Sequence, residues 1–229
     1  SLIAKRIKGI KRAALAPIMP SPTGCYILMD AGSNIECRPE MLLQFGVMGS
    51  VYMEQIMGIS SPRVALVNIG AEETKGGELQ LGAYKLLKES NLVNFTGNIE
   101  PRYIPSGDAD VVLCDGFTGN VILKLTEGTA KMIMGGLKGI FLDSGIKGKL
   151  AAAMVMKGMK SFKKQMDYTE YGGAPLMGTA KPVIKAHGSS NPNAFKNAIR
   201  QARDFAANGV IEKITLSLAE WKAKTQADK

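Results

Sequence analysis

The segment Asp115-Gly116-Phe117-Thr118-Gly119-Asn120 joins a short β-branched run, Ala109-Asp110-Val111-Val112-Leu113-Cys114, to the helically spaced Val121-Ile122-Leu123-Lys124-Leu125-Thr126-Glu127-Gly128. A strand, a glycine-punctuated polar turn and a helix start build a crevice at the carboxyl end of a parallel sheet. Backbone N–H groups and the positive end of the helix dipole face outward there, and small anions, phosphate above all, bind at such places. A second junction runs through Lys185-Ala186-His187-Gly188-Ser189-Ser190-Asn191, with Asn191 as helix cap and Pro192 at the first helical position. A third is Asp30-Ala31-Gly32-Ser33-Asn34. Three strand-end polar turns in one α/β chain point to a composed site, although Gly and Asn in such turns often serve geometry alone.

The remaining reactive groups are few. His187 is the single histidine, which excludes a multi-histidine metal site in this chain, and no metal is expected. Its position before Gly-Ser-Ser-Asn suits either a structural hydrogen bond or a role in proton transfer. Cys25, Cys37 and Cys114 are odd in number and far apart, so they form neither a C-x-x-C metal pair nor a disulfide framework. Cys114 reads as a buried small hydrophobe rather than a nucleophile. The chain has no G-x-x-x-x-G-K-[ST] loop, since Gly148-Lys149 is followed by Leu150. It also has no G-x-G-x-x-G opening a helix after a strand, and no G-x-S-x-G elbow.

The elements that must position these turns alternate along the chain. Strand patterns lie at 13–15, 26–30, 63–69, 94–97, 110–114 and 183–187. Helical patterns lie at 39–58, 77–90, 120–140, 149–166, 193–208 and 210–222. Helices of this length between strands imply crossover connections and a mainly parallel, doubly wound sheet. The adjacent helices at 120–140 and 149–166 break the alternation and predict a protruding helical hairpin with its tip at 141–148. With 229 residues, 45% hydrophobic, and no low-complexity linker, residues 1–229 read as one α/β domain carrying the hairpin 120–166.

No apolar run approaches the ~20 residues of a membrane span, and residues 1–8 lack the apolar stretch and cleavage site of a secretory signal. The cysteine usage fits a reducing cytoplasm. The net charge of +9 is concentrated: Lys147, Lys149, Lys157, Lys160, Lys163 and Lys164 fall in a stretch without acids. Most of them share one face of a helix whose opposite face carries Ala152, Val155, Met159, Phe162 and Met166. Such a basic amphipathic helix is either packed on a neighbour with a solvated Lys face, or meets anionic lipid or an acidic protein. Nucleic acid is disfavoured, because aromatics are only 6% and no aromatic-interleaved basic strand occurs.

Five motifs in order, Asn68-Ile69-Gly70-Ala71-Glu72-Glu73-Thr74-Lys75-Gly76, Phe95-Thr96-Gly97-Asn98-Ile99-Glu100, Cys114 to Asn120, Tyr171-Gly172-Gly173-Ala174-Pro175-Leu176 and Lys185 to Asn191, resemble the PlsX family. These are the acyl-ACP:phosphate acyltransferases of bacterial phospholipid synthesis. The resemblance runs over essentially the whole chain. Members are longer and begin with further strand–helix units, so this chain, which starts without Met, resembles their C-terminal two-thirds.

The resemblance implies a three-layer α/β/α sandwich, isopropylmalate-dehydrogenase-like, and attack of inorganic phosphate on the thioester of a long-chain acyl group carried by acyl carrier protein. Phosphate is itself the nucleophile, so no cofactor and no activated Ser or Cys is required. The catalytic candidates are His187, Lys185 and Lys75. The substrate-binding candidates are Asp115, Gly116, Thr118, Gly119 and Asn120 with Gly188, Ser189, Ser190 and Asn191, joined by Asp30 and Asn34. Helix N-termini at Thr118–Asn120 and Ser189–Asn191 are expected to supply free N–H donors. The family also implies a homodimer peripherally bound to the membrane from the cytoplasm. The expected membrane-contact residues are Phe141, Leu142, Ile146, Lys147, Lys149 and Leu150. A non-catalytic fragment that dimerises and binds membrane, and a coenzyme A-dependent phosphate acyltransferase, stand as alternatives.

Overall fold

Strand β3 (Gly24–Met29) alternates in the manner of a strand buried on both sides, and the alternation defines the two faces of the main sheet. Ile27 and Met29 enter one apolar cluster, whereas Tyr26 and Leu28 enter the other. The structure, a computed structural model, describes residues 3–165, 171–186 and 190–227. Of the candidate residues, His187, Gly188 and Ser189 lie outside the described residues, as does Met166.

Four further strands complete that sheet: β2 (Ile18–Ser21), β4 (Arg63–Val67), β5 (Asn94–Ile99) and β6 (Val111–Leu113). Their spatial order is β2-β3-β6-β4-β5. Strands β3, β6, β4 and β5 are parallel, and β2 is an antiparallel edge that returns to β3 through a tight turn. Both β4 and β6 alternate as β3 does. Val64, Leu66, Val111 and Leu113 face one cluster; Ala65, Val67 and Val112 face the other.

The first face is covered by α1 (Pro39–Gln55), α2 (Glu78–Ser90), α5 (Pro192–Ala207) and α6 (Val210–Ala227). Every residue of α1 from 41 to 53 is buried, as expected of a helix apolar all round and enclosed between a sheet and further helices. Fully burying each Leu, Met or Phe there contributes about 1.5–3 kcal/mol. Helix α5 is tied to α1 through Gln201, whose Nε2 donates to Tyr52 Oη at 2.7 Å, and through the tilted Tyr52–Phe205 ring pair at 5.9 Å. The second face is covered by a 3₁₀ turn (Pro101–Ser106) and by Ile122 and Leu123 of α3 (Gly116–Asp143). The result is the expected α/β/α layering with a mainly parallel sheet.

Two sequence expectations are corrected. Residues 183–187 are expected as a strand of the parallel sheet. Instead β8 (Ile184–Lys185) pairs antiparallel with β7 (Ala174–Met177), which pairs antiparallel with β1 (Ala14–Leu15). Only residues 178–183 separate β7 from β8, too few for the crossover that parallel pairing requires. The Thr179 hydroxyl, donating to the carbonyls of Leu176 at 2.9 Å and Lys181 at 2.8 Å, tightens this connection into a turn. Second, α3 begins at Gly116 rather than near Asn120, because Asp115 caps it, so the glycine-rich segment forms the helix's first turn.

Helix α3 runs unbroken to Asp143 and passes through Ser144 into α4 (Gly145–Gln165). The two pack through Met134, Leu137, Val155, Met159 and Phe162, which line an open groove of about 290 Å³. Much of the hairpin's apolar surface stays exposed, including Leu125, Met132, Ile133, Ile140 and Met154. Among the described residues no helix is long and apolar enough to cross a membrane.

Candidate functional site

Asp30, directly after β3, is fully buried, and its carboxylate is saturated by the surrounding chain. Oδ1 accepts from the backbone N–H groups of Leu15 (3.0 Å), Gly32 (3.2 Å) and Ser33 (3.1 Å). Oδ2 accepts from Asn34 N–H and Asn34 Nδ2, both at 2.7 Å. Asn34 Nδ2 also donates to the Ala13 carbonyl at 2.8 Å. Charge-assisted bonds of this kind stabilise by roughly 1.5–3 kcal/mol each and lock the turn 30–34 against β1. Asp30 and Asn34, expected to touch substrate, thus spend their side chains on the frame of the site.

That frame meets the first turn of α3. The Asn34 carbonyl accepts the Gly116 N–H at 2.7 Å. A Cβ on Gly116 would stand 2.6 Å from that same carbonyl oxygen, and a Cβ on Gly119 would collide with the carbonyl of Asp30. Glycine is required at both positions so that the helix can start this close to the turn. Asp115 caps the helix: Oδ1 accepts from Thr118 N at 2.9 Å and Oδ2 from Thr118 Oγ1 at 2.7 Å, while Gly119 N–H donates to the Asp115 carbonyl. The expected free N–H donors at Thr118 and Gly119 are therefore already engaged. A capping carboxylate satisfies an orphan amide better than a transient ligand does, because it is always present. Asn191 caps α5 in the same way, accepting from Ala194 N at 2.8 Å, and Ser190 beside it is half-buried.

The side chain that remains available is Asn120, exposed and resting over Gly32. Asn120 lines a cleft of about 150 Å³ together with Ala31 of the turn after β3 and with Lys185 and Ala186, so single residues of two of the predicted turns and the start of the Lys185–Asn191 junction meet there. Leu15, Pro17 and Leu123 contribute apolar walls, and Lys124 and Glu127 form an ion pair at 3.1 Å on its α3 side. Lys75 stands elsewhere. It lies in the loop after β4, where its carbonyl accepts from Asn68 Nδ2 at 2.9 Å and its side chain is exposed beside Gly70, outside the cleft lining. No group of His, Cys, Asp and Glu suited to a metal ion occurs among the described residues.

The thiols near the site are held protonated. Burial, then the nearby carboxylates of Asp30 and Asp115, push Cys37 up to about 11 despite a hydrogen bond with the Gly116 backbone. Burial above all pushes Cys114 well above its ordinary value, with Asp115, Asp30 and Cys37 adding to the shift. Neither can act as a thiolate near neutrality.

The residues of the hairpin tip are not part of the cleft lining. Leu142, Ile146 and Leu150 are exposed beside the exposed Lys147 and Lys149, and Phe141 is half-buried, its carbonyl against Gly148. A basic basin of about 570 Å³ escaped the sequence reading. It is lined by Arg6, Lys11, Arg12 and Arg38 with Glu36 and Glu40, next to the Asn34 turn, to whose carbonyl Cys37 Sγ donates. Its two segments, 6–12 and 36–41, are unremarkable separately, and Gln44 of α1 ties them together, accepting from Lys11 N–H at 2.8 Å and donating to the Gly9 carbonyl at 3.0 Å.

Residues 1–213 match the family model described as fatty acid synthesis protein. The phosphate acyltransferase of Alkaliphilus oremlandii is 55% identical over 214 residues, covering 93% of this chain and 63% of that protein. One from Clostridium botulinum (strain Alaska E43 / Type E3) is 50% identical over 214 residues, covering 93% and 64%. The chain thus spans just under two thirds of the length of these relatives. Among solved structures, the EutD phosphotransacetylase from Staphylococcus aureus superposes with a TM-score of 0.54 at 18% identity, over 88% of this chain and 57% of that one. A phosphotransacetylase from Streptococcus pyogenes gives 0.54 and 18% over 88% and 56%, a likeness of fold. With residues 1–213 matching the family model and curated relatives at half identity or above, the chain belongs to the fatty acid synthesis protein family, the PlsX-type phosphate acyltransferases.

Proposed function

We propose that this chain carries part of the active site of an enzyme that moves a long-chain acyl group from acyl carrier protein to inorganic phosphate, giving acyl phosphate for phospholipid synthesis. The observation that carries this reading is the meeting of Asn120 and Lys185 in one apolar-walled cleft beside the capped start of α3. A phosphate oxygen attacks the thioester carbonyl carbon, the new C–O bond forms, the C–S bond breaks, and the phosphate proton passes to the departing sulfur. Lys185 neutralises phosphate, and Asn120 Nδ2 donates to phosphate or to the carbonyl oxygen as it gains charge. Lys75, in the loop after β4 and outside this cleft's lining, is assigned the role of a second cation for the anionic substrates. His187, which follows Lys185 and Ala186 in sequence, is assigned the proton transfer; Gly188, Ser189 and Ser190 are assigned phosphate contacts. The raised thiols of Cys37 and Cys114 agree with phosphate acting directly as nucleophile.

The donor is an acidic carrier protein, and the basin of Arg6, Arg12 and Arg38 offers it a positive surface beside the Asn34 turn. Residues 1–229 act as one α/β domain. Its hairpin, 120–166, pairs with the same hairpin of a second subunit, since the exposed Leu125, Met132 and Ile133 lack a cover in the single chain. Leu142, Ile146 and Leu150, with Lys147 and Lys149, then face an anionic membrane surface from the cytoplasm. The experiment is acyl phosphate formation from acyl carrier protein and phosphate, assayed with this chain and with a form extended to its relatives' length. Product in the extended form that is lost with Lys185→Ala supports the assignment. Thioester hydrolysis without acyl phosphate, or transfer to coenzyme A alone, contradicts it.

A further inference from the structure

We propose that the apolar wall of the Asn120–Lys185 cleft holds the first carbons of the acyl chain, and that Leu123 sets chain-length selectivity; this rests on the acyl transfer reading above. Of the polar side chains in the cleft, Lys124 is neutralised by Glu127 at 3.1 Å. Asn120 and Lys185 have no internal partner among the described residues. The remaining lining is apolar: Leu15, Pro17, Ile18 and Met19 from the β1–β2 side, Leu123 from α3 and Ala174 from β7.

A free phosphate has no use for such a wall, and a purely apolar ligand has none for an unpaired ammonium. The combination recognises an amphiphile with a linear carbon chain and an anionic head, which is the form of the acyl phosphate product. Along α3 the residues from Asn120 to Glu127 span roughly 10 Å at 1.5 Å per residue, so the head at Asn120 leaves room for several carbons past Leu123. Leu123 is half-buried and is the large apolar side chain that α3 contributes, while Ala174, also in the lining, is small. The side chain at position 123 therefore controls how far a chain can enter.

Two measurements test this. Hexadecylphosphonate, butylphosphonate and inorganic phosphate are titrated calorimetrically against the protein below the micellar concentration of the longest. Acyl phosphate formation is then compared for palmitoyl and butyryl carrier protein in the full-length form. Hexadecylphosphonate should bind more tightly than the other two. Leu123→Trp should lower the palmitoyl-to-butyryl ratio about tenfold, the worth of roughly two methylenes withdrawn from an apolar wall. It should weaken hexadecylphosphonate more than butylphosphonate, whereas Lys185→Ala should weaken all three ligands. Leu216→Trp, on the exposed face of α6, should leave both profiles as they are. Phosphonates binding equally at all lengths, or an unchanged profile in Leu123→Trp, would overturn the assignment. Length-dependent binding that Leu123→Trp abolishes in a protein forming no acyl phosphate would sustain the cleft and reject the reaction.

Discussion

The carbonyl of Asn34 accepts the N–H of Gly116 at 2.7 Å, so the turn after β3 and the first residue of α3 form one rigid unit. A methyl group at position 116 would press on that carbonyl at 2.6 Å, and one at 119 would collide with the carbonyl of Asp30. Gly116→Ala and Gly119→Ala should each destabilise the fold by about 1–3 kcal/mol, since neither backbone neighbour can yield as a flexible side chain would. Urea unfolding followed by circular dichroism measures this. Wild-type midpoints in both variants would show that the helix start can shift.

At the opposite end of the strands, Asp110 accepts from Arg63 Nε and Nη2 at 3.0 Å and from its backbone N–H at 2.8 Å. Burial alone would raise the Asp110 pKa, but the hydrogen bonds and charge of Arg63 outweigh it and hold the carboxyl below its ordinary 3.8. A depressed carboxylate stabilises above its unfolded pKa and loses that contribution as pH falls through the folded value. The stability gap between wild type and Asp110→Asn should therefore be full near neutrality and close below about pH 4. A gap that persists undiminished at lower pH would mean that the pair is not the source.

The parallel core and the capped glycine-rich turn are readable from residue types, because period-two apolar runs and Asp or Asn before Gly and Pro act locally. Strands β2 and β7 are not, since Pro20 and Pro175 lower their strand signal; β1 and β8 are legible as strands, but their antiparallel pairing with β7 is set by distant partners. Lys185 is legible as a strand residue and Asn120 as part of a helical pattern, although the helix already starts at Gly116; that both line one cleft depends on tertiary packing. The expectation of free amides at Thr118 and Gly119 fails because Asp115 reads equally well as a ligand or as a cap. The basin of Arg6, Arg12 and Arg38 depends wholly on tertiary contact.

Alkylation by iodoacetamide should be slow at Cys37 and Cys114 at pH 7, and Cys37 should accelerate only as pH approaches about 11, where burial has placed its pKa. Mass spectrometry of peptides quenched at increasing pH reads this directly. Rapid labelling of Cys37 at neutral pH would mean that the thiol is activated, and would reopen a covalent route.

At the hairpin tip, Lys147→Glu with Lys149→Glu should weaken sedimentation with anionic vesicles and flatten its salt dependence, at about 1 kcal/mol per Lys near the surface. Leu142→Asp with Ile146→Asp should release the protein from vesicles while analytical ultracentrifugation still shows a dimer. Monomers that retain vesicle binding would make the tip a subunit contact instead.

The most direct measurement is the phosphate dependence of acyl phosphate formation in the full-length form carrying Asn120→Ala or Lys185→Ala. A charge-assisted hydrogen bond contributes roughly 1.5–3 kcal/mol, so the apparent KM for phosphate should rise about tenfold or more in Lys185→Ala. For Asn120→Ala, kcat/KM should fall with or without a change in KM, according to whether Asn120 holds phosphate or the developing oxyanion. Wild-type kinetics in both variants would contradict the placement of phosphate transfer in this cleft.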